Sequence, residues 1–169
     1  MAARYFPMFM DLRGRKILVV GGGNVAAQRI AKLKDFGCRI MVVAKKMSDA
    51  LLEIQDKSIV LYERAYDSTD IIDMDYVIAA TNDAQLNEKI VWDCNRSSIP
   101  VNDVSNSANC DFYFPGIVEW EEMVIGISSS GINYALTKKL AQLLRLRIGE
   151  MVKESREDLE KEKDKQWFV

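Results

Sequence analysis

Lys16 to Val20 (KILVV) has no polar residue after its first, and it runs straight into Gly21-Gly22-Gly23 and then a helical pattern. A short β-branched run without alternation is a strand buried on both faces, as in a parallel sheet covered by helices. After the glycines, Ala26, Ile30 and Leu33 recur at helical spacing, with Gln28, Arg29, Lys32 and Lys34 between them. Gly37 stands where a helix C′ glycine belongs, and Arg39 to Ala44 (RIMVVA) reads as a second buried strand. One βαβ unit is therefore written out between Lys16 and Ala44.

The junction itself carries chemistry. Gly21-Gly22-Gly23-Asn24-Val25-Ala26 fits G-x-G-x-x-A between strand and helix. The first glycine permits the tight turn, the second lets a pyrophosphate approach the backbone, and Ala26 lets the helix pack close to the strand. Unpaired N–H groups and the helix dipole favour phosphate at that end. The expected ligand is a dinucleotide such as NAD, with Gly21, Gly23, Asn24, Val25 and Ala26 as the phosphate-side residues. NAD binders usually place Asp or Glu at the end of the second strand to accept from the ribose hydroxyls. Here that position reads Ala44-Lys45-Lys46. Either this is a solvated lysine pair, or backbone near Lys45 holds the ribose with Lys45 and Lys46 able to tolerate a phosphate. The residues leave NAD against NADP open.

The alternation continues. Ile59 to Tyr62, Tyr76 to Ala80 and Ile99 to Asn102 read as a third, fourth and fifth strand, the last begun by a proline that suits a strand start or a sheet edge. Thr81-Asn82-Asp83 follows the fourth strand, at the carboxyl ends of the strands where ligands bind. Asn82, with Gln85 three residues on, equally reads as the cap of a helix whose buried stripe is Leu86, Ile90, Val91 and Cys94. The expected architecture is an α/β, Rossmann-type doubly wound parallel sheet over residues 1–111. The pattern changes after about Cys110. Phe112 to Val118 and Met123 to Ser128 read as strands, separated by Glu119-Trp120-Glu121-Glu122, that form a hairpin or a sheet shared between subunits. Leu136, Leu140, Leu143, Leu144 and Ile148 mark an amphipathic helix. Residues 112–149 are thus expected to be a small α+β segment, and residues 150–169 a charged helical tail with pairs such as Glu157 and Lys161.

Composition excludes several classes. The chain of 169 residues contains no histidine, which removes His-based zinc sites, His general bases and Ser-His triads; no metal site is expected. A net charge of −2 disfavours nucleic acid as the main partner. No apolar run approaches the roughly 20 residues needed to span a membrane, and the patch Tyr5 to Met10 is too short for a signal peptide. Cys38, Cys94 and Cys110 form no C-x-x-C pair and read as buried thiols. A cytoplasmic protein is expected.

Several strings together resemble one family. Tyr5 to Leu12, Lys16 to Ala26, Ala79-Ala80-Thr81-Asn82-Asp83, Leu86-Asn87, Val101-Asn102, Cys110 to Pro115 and Ile127-Ser128-Ser129-Ser130-Gly131 are similar, in order, to precorrin-2 dehydrogenases, the NAD-dependent domains of siroheme synthases. The resemblance spans residues 5 to 148. It implies oxidation of precorrin-2 to sirohydrochlorin, with NAD as hydride acceptor, in a homodimer whose subunits exchange contacts through the segment after the Rossmann domain. Some members also insert ferrous iron, so Fe²⁺ is a further partner if the chain shares that activity. The short stretch beyond the dimerisation helix favours a dehydrogenase alone. A non-catalytic NAD-sensing dimeric module is the competing reading.

The resemblance also implies site residues. The family places an aspartate ten residues before the proline of C-D-F-x-F-P; here that position is Ser105, and Asp103 lies two residues earlier. A serine needs an activating partner to act as a base near neutral pH. In an extended strand Asp103 and Ser105 would share a face about 7 Å apart. Asp103 reads equally as a turn-capping residue. Ser128, Ser129 and Ser130 correspond to a small-residue loop beside the macrocycle cleft, or are only a strand-to-helix turn. Lys138, Lys139, Arg145 and Arg147 on the following helix are candidate partners for substrate carboxylates.

Overall fold

In the computed structural model, which describes residues 5–54 and 56–166, the apolar runs form strands β1 (Lys16–Val20), β2 (Arg39–Ala44), β3 (Ile59–Glu63), β4 (Tyr76–Ala79) and β5 (Val101–Asp103). All are parallel, in the order β3-β2-β1-β4-β5. This is the expected doubly wound sheet, and the order reverses between β1 and β4. Val20 lies opposite both Val43 and Ala79, so the carboxyl ends of the three central strands are level there.

Helix α1 (Asn24–Leu33) buries Ala26, Ala27, Ile30 and Leu33, the stripe its spacing predicts. A 3₁₀ turn, Lys34–Phe36, then extends it, and Gly37 closes that turn at φ 71°. A short helix α2 (Asp49–Leu52) follows β2, and α3 (Ala84–Arg96) precedes β5. The cap of α3 is Asp83 and not Asn82: Asp83 Oδ1 accepts from the N–H groups of Gln85 and Leu86. The buried face of α3 also differs from expectation. Leu86 is only half-buried, whereas Asn87, a polar residue, is fully buried. Leu18, Val20, Val43, Val77, Ala79 and Val101 from the sheet pack with Ile71, Ile90, Val91 and Cys94 in one core cluster. Each large apolar side chain buried this way contributes about 1.5–3 kcal/mol. Cys38 and Cys94 are buried free thiols; Cys110 is only half-buried.

These elements belong to one compact unit, Met10–Tyr113. A separate unit contains a two-stranded antiparallel hairpin, β6 (Gly116–Trp120) and β7 (Met123–Ile127), turned at Glu121 with φ 49°. Strand β6 starts four residues later than the apolar run suggests. Asp111 and Phe112 are held instead against β5: the Val101 N–H donates to Asp111 Oδ2, and Asn102 Nδ2 donates to the Phe112 carbonyl. Helix α4 (Tyr134–Gln166) is continuous through the charged stretch, and residues 167–169 of the expected tail lie outside the described residues. Glu157 pairs with Lys153 at 4.0 Å, and Lys161 pairs with Asp158 at 3.1 Å, not with Glu157. The hairpin covers Ala141, Ile148 and Val152 and partly Leu144. Leu136, Leu140 and Leu143, expected in the same stripe, are instead 59%, 43% and 44% exposed. The Trp120 ring packs against Gly149, where a Cβ would lie 2.7 Å from it and displace the ring. Among the described residues no helix is long and apolar enough to cross a membrane.

Candidate functional site

A cleft of about 1020 Å³ opens at the carboxyl ends of β1, β2 and β4, where the strand order reverses. Open α/β sheets bind ligands at this crevice because the loops diverge to opposite faces there. The glycine turn forms its floor. Gly21 takes φ 128°, and its N–H donates to the Val43 carbonyl at 2.9 Å. A Cβ on Gly21 would sit 2.2 Å from the Ala80 carbonyl oxygen, and one on Gly22 would sit 2.1 Å from the Lys46 carbonyl oxygen. Those two glycines let the chain cross between β4 and the loop after β2. Gly22 occupies a free position of the motif, so its requirement was not visible in the sequence; it comes from the neighbouring loop, whose Ser48 N–H donates to Gly22 O at 2.8 Å.

Gly23 differs. Its backbone is ordinary, φ −86°, and a Cβ there would meet nothing within 4 Å. The first bond of α1 runs from Ala27 N–H to Gly23 O, which leaves the N–H groups of Asn24, Val25 and Ala26 outside the helical ladder. Open space in front of unpaired N–H groups at a helix N-terminus fits a diphosphate. The residues present therefore fit a dinucleotide. Of the expected cofactor residues, Gly21, Gly23, Asn24, Lys45, Lys46, Thr81, Asn82 and Asp83 line the cleft. Val25 and Ala26 do not line it. Ala26 is fully buried, and Val25 is 45% exposed.

Thr81 is tied to the base of α3. Asn87 Oδ1 accepts from the Thr81 N–H and hydroxyl, at 3.2 and 2.6 Å, while its Nδ2 donates to the Thr81 carbonyl and to Ser105 Oγ. All four hydrogen-bonding positions of this buried amide are satisfied, so it locks the loop after β4 to the loop after β5. Its place as a hub was not legible from periodicity, which marks apolar positions only.

Asp103 and Ser105 come together more closely than an extended strand allows. Strand β5 ends at Asp103 and the chain turns, so Ser105 Oγ donates to Asp103 Oδ1 at 2.6 Å and the Ser105 N–H at 2.9 Å. Asn109 Nδ2 donates to Asp103 Oδ2 at 3.0 Å. The turn replaces the 7 Å separation expected above. Burial raises the Asp103 carboxyl pKa, but hydrogen bonds from Ser105, Asn109 and the loop backbone outweigh it and hold the group below its ordinary range. Asp103 is thus a charged, 3%-exposed acceptor, and the exposed Ser105 hydroxyl stands between it and Asn87.

Arg64 and Tyr66 also line the cleft, and neither stood out in the sequence. Arg64 is held bidentate by Asp70, at 2.6 and 2.8 Å, and Tyr66 donates to Asp93 at 2.9 Å. The serine loop and Lys138 belong to the other unit. There Ser129 Oγ accepts from the Asn133 N–H and the Thr137 hydroxyl, and Ser128 Oγ from the Ser130 N–H. Ser130 and Gly131 both have positive φ, and Lys138 is exposed on α4.

Comparison with known proteins agrees with this geometry. An NAD(P)-binding family model matches residues 8–116. The chain is 40% identical over 142 residues to a "probable multifunctional siroheme biosynthesis protein" of Ruminiclostridium josui, covering 83% of this chain and 28% of that protein. It is 41% identical over 150 residues to a siroheme synthase of Psychrobacter cryohalolentis, covering 87% and 28% respectively. The chain spans less than a third of the length of these relatives. Among solved structures, "SirC, precorrin-2 dehydrogenase" superposes with a TM-score of 0.68 at 27% identity, covering 83% of this chain and 69% of that one. The chain belongs to the family of NAD(P)-binding domains shared by siroheme synthases and precorrin-2 dehydrogenase.

Proposed function

We propose that this chain oxidises precorrin-2 to sirohydrochlorin with NAD⁺ as oxidant. The single observation that carries the reading is the cleft at the β1/β4 reversal, floored by a glycine turn with open N–H groups, in a chain similar to a precorrin-2 dehydrogenase of known structure. When bound, NAD⁺ supplies the carbon that accepts the hydride. The turn Gly21 to Ala26 holds the diphosphate, and Thr81 to Asp83 borders the other wall. The macrocycle loses a hydride and a proton. The proton passes to Ser105 Oγ as the serine's own proton moves to Asp103 Oδ1, and is then released to water. Hydrogen bonding makes Asp103 a weak base, so it orients the serine and holds the transferred proton only until its release to water. Positioning supplies most of the rate in such a transfer.

The chain works as a homodimer, with residues 112–149 as the pairing segment. The exposed leucines of α4, Leu136, Leu140 and Leu143, are the apolar surface that pairing would cover. Ser128, Ser129, Ser130 and Lys138 contribute hydrogen bonds and positive charge toward the substrate's carboxylates. The chain acts in the cytoplasm. The test is anaerobic incubation with precorrin-2 and NAD⁺, following NADH and sirohydrochlorin by absorbance. Stoichiometric appearance of both supports the reading, and NAD⁺ binding without turnover overturns it. Ser105→Ala is expected to lower kcat at least about tenfold with NAD⁺ affinity retained; unchanged kcat removes the serine from the proton path.

A further inference from the structure

We infer that the nucleotide cleft accepts a dinucleotide carrying a 2′-phosphate on its adenosine ribose as well as one without it, and that Lys45 and Lys46 form the pocket for that phosphate. This rests on the dinucleotide reading above and adds the charge selectivity of the site. In doubly wound folds the residue after the second strand meets the ribose. A carboxylate there accepts from the 2′-hydroxyl and repels a 2′-phosphate, whereas a cation admits the phosphate. Here β2 ends at Ala44, and the next two residues are Lys45 and Lys46, both exposed and both lining the cleft.

The position of these lysines is fixed, not incidental. The Lys46 carbonyl packs against Gly22 so closely that a Cβ on Gly22 would sit 2.1 Å from it, and Ser48 N–H holds the other side of the same turn through Gly22 O. The lysine pair therefore starts from backbone locked to the phosphate-binding turn. Neither lysine takes part in an ion pair among the described residues, so both charges are available to a ligand. Arg64 lines the same cleft but is neutralised by Asp70.

The lining carboxylates do not cancel the pair. Asp83 is engaged in capping α3 through the N–H groups of Gln85 and Leu86. Asp49, at the start of α2, is five residues beyond the end of β2. A carboxylate acting in place of the usual strand-end acid would have to be Asp49, which makes it the control.

The experiment is calorimetric titration of the intact chain with NAD⁺ and with NADP⁺ at low and moderate salt, for the wild type and for Lys45→Glu, Lys46→Glu and Asp49→Asn. Melting curves verify that each exposed substitution leaves the fold intact. Wild-type dissociation constants within about tenfold of each other are expected, with the NADP⁺ value weakening more steeply as salt screens the added charge. Each lysine reversal should weaken NADP⁺ by about tenfold or more and change NAD⁺ by less than about threefold. NADP⁺ binding about a hundredfold weaker than NAD⁺ in the wild type overturns the inference, as do lysine reversals that weaken both cofactors equally. Selective loss of NAD⁺ binding in Asp49→Asn overturns it too, by placing the ribose acceptor there. Absence of binding by either cofactor would instead overturn the dinucleotide reading on which it rests.

Discussion

Replacing Gly23 by alanine separates the cradle's ligand role from its folding role. A Cβ on Gly23 meets no atom within 4 Å, and the residue's φ of −86° is open to alanine. The cost to stability is then that of an alanine at a helix N-cap, at most about 1 kcal/mol. For a chain of this size that lowers Tm by about 2–4 °C. The same methyl adjoins the N-terminus of α1 at the cleft, where the proposed diphosphate lies. Displacing it should weaken NAD⁺ binding about 10- to 100-fold, equivalent to about 1.4–2.8 kcal/mol. Gly21→Ala supplies the contrast: φ 128° and a clash at 2.2 Å with Ala80 O should destabilise the fold itself by about 2 kcal/mol or more. Thermal melts and calorimetric NAD⁺ titrations measure both effects on the same samples. A Gly23→Ala variant that binds NAD⁺ as tightly as the wild type would refute the placement of the diphosphate at this turn.

Three further outcomes follow from particular contacts. Hydrogen bonds from Arg64 hold the Asp70 carboxyl below its ordinary range against the opposing effect of burial. Its contribution is therefore present at neutral pH and lost as pH falls below about 4 toward the folded-state value. Asp70→Asn should cost about 1–3 kcal/mol in denaturant melts at pH 7, and the difference from wild type should shrink as pH falls below the ordinary carboxylate range. The paired substitutions Leu140→Glu and Leu143→Glu, on the exposed side of α4, should abolish the proposed pairing, giving a monomer mass in light scattering with helical circular dichroism retained; a wild type that is itself monomeric refutes the pairing. Burial pushes the Cys94 thiol up to about 12, so it should resist thiol reagents at pH 8 until the chain is unfolded; labelling at the rate of a free thiol would contradict its place in the core.

The continuous run KILVV, the glycines after it and the helical spacing from Ala26 to Leu33 determined the βαβ unit without help, because burial on both faces and phosphate binding at a helix start each restrict residue types locally. Strands β4 and β5 were legible for the same reason, whereas β3 is an edge strand with Val60 and Tyr62 exposed and was read from its β-branched run; only the strand ends moved. The switch from Asn82 to Asp83 as the cap of α3 shows the limit: two adjacent residues could each cap, and backbone geometry chose between them. What only the tertiary structure decided are relations between distant segments. Gly22 is required because the Lys46 carbonyl lies against it, and Asn87 is buried because it joins loops after two different strands. Asp103 and Ser105 are bonded because β5 stops between them, and Leu136, Leu140 and Leu143 are exposed because the hairpin covers the opposite side of α4. Periodicity reports which face of an element is apolar. It carries no information about which neighbour arrives at that face, and the fine geometry of the nucleotide cleft depends on that arrival.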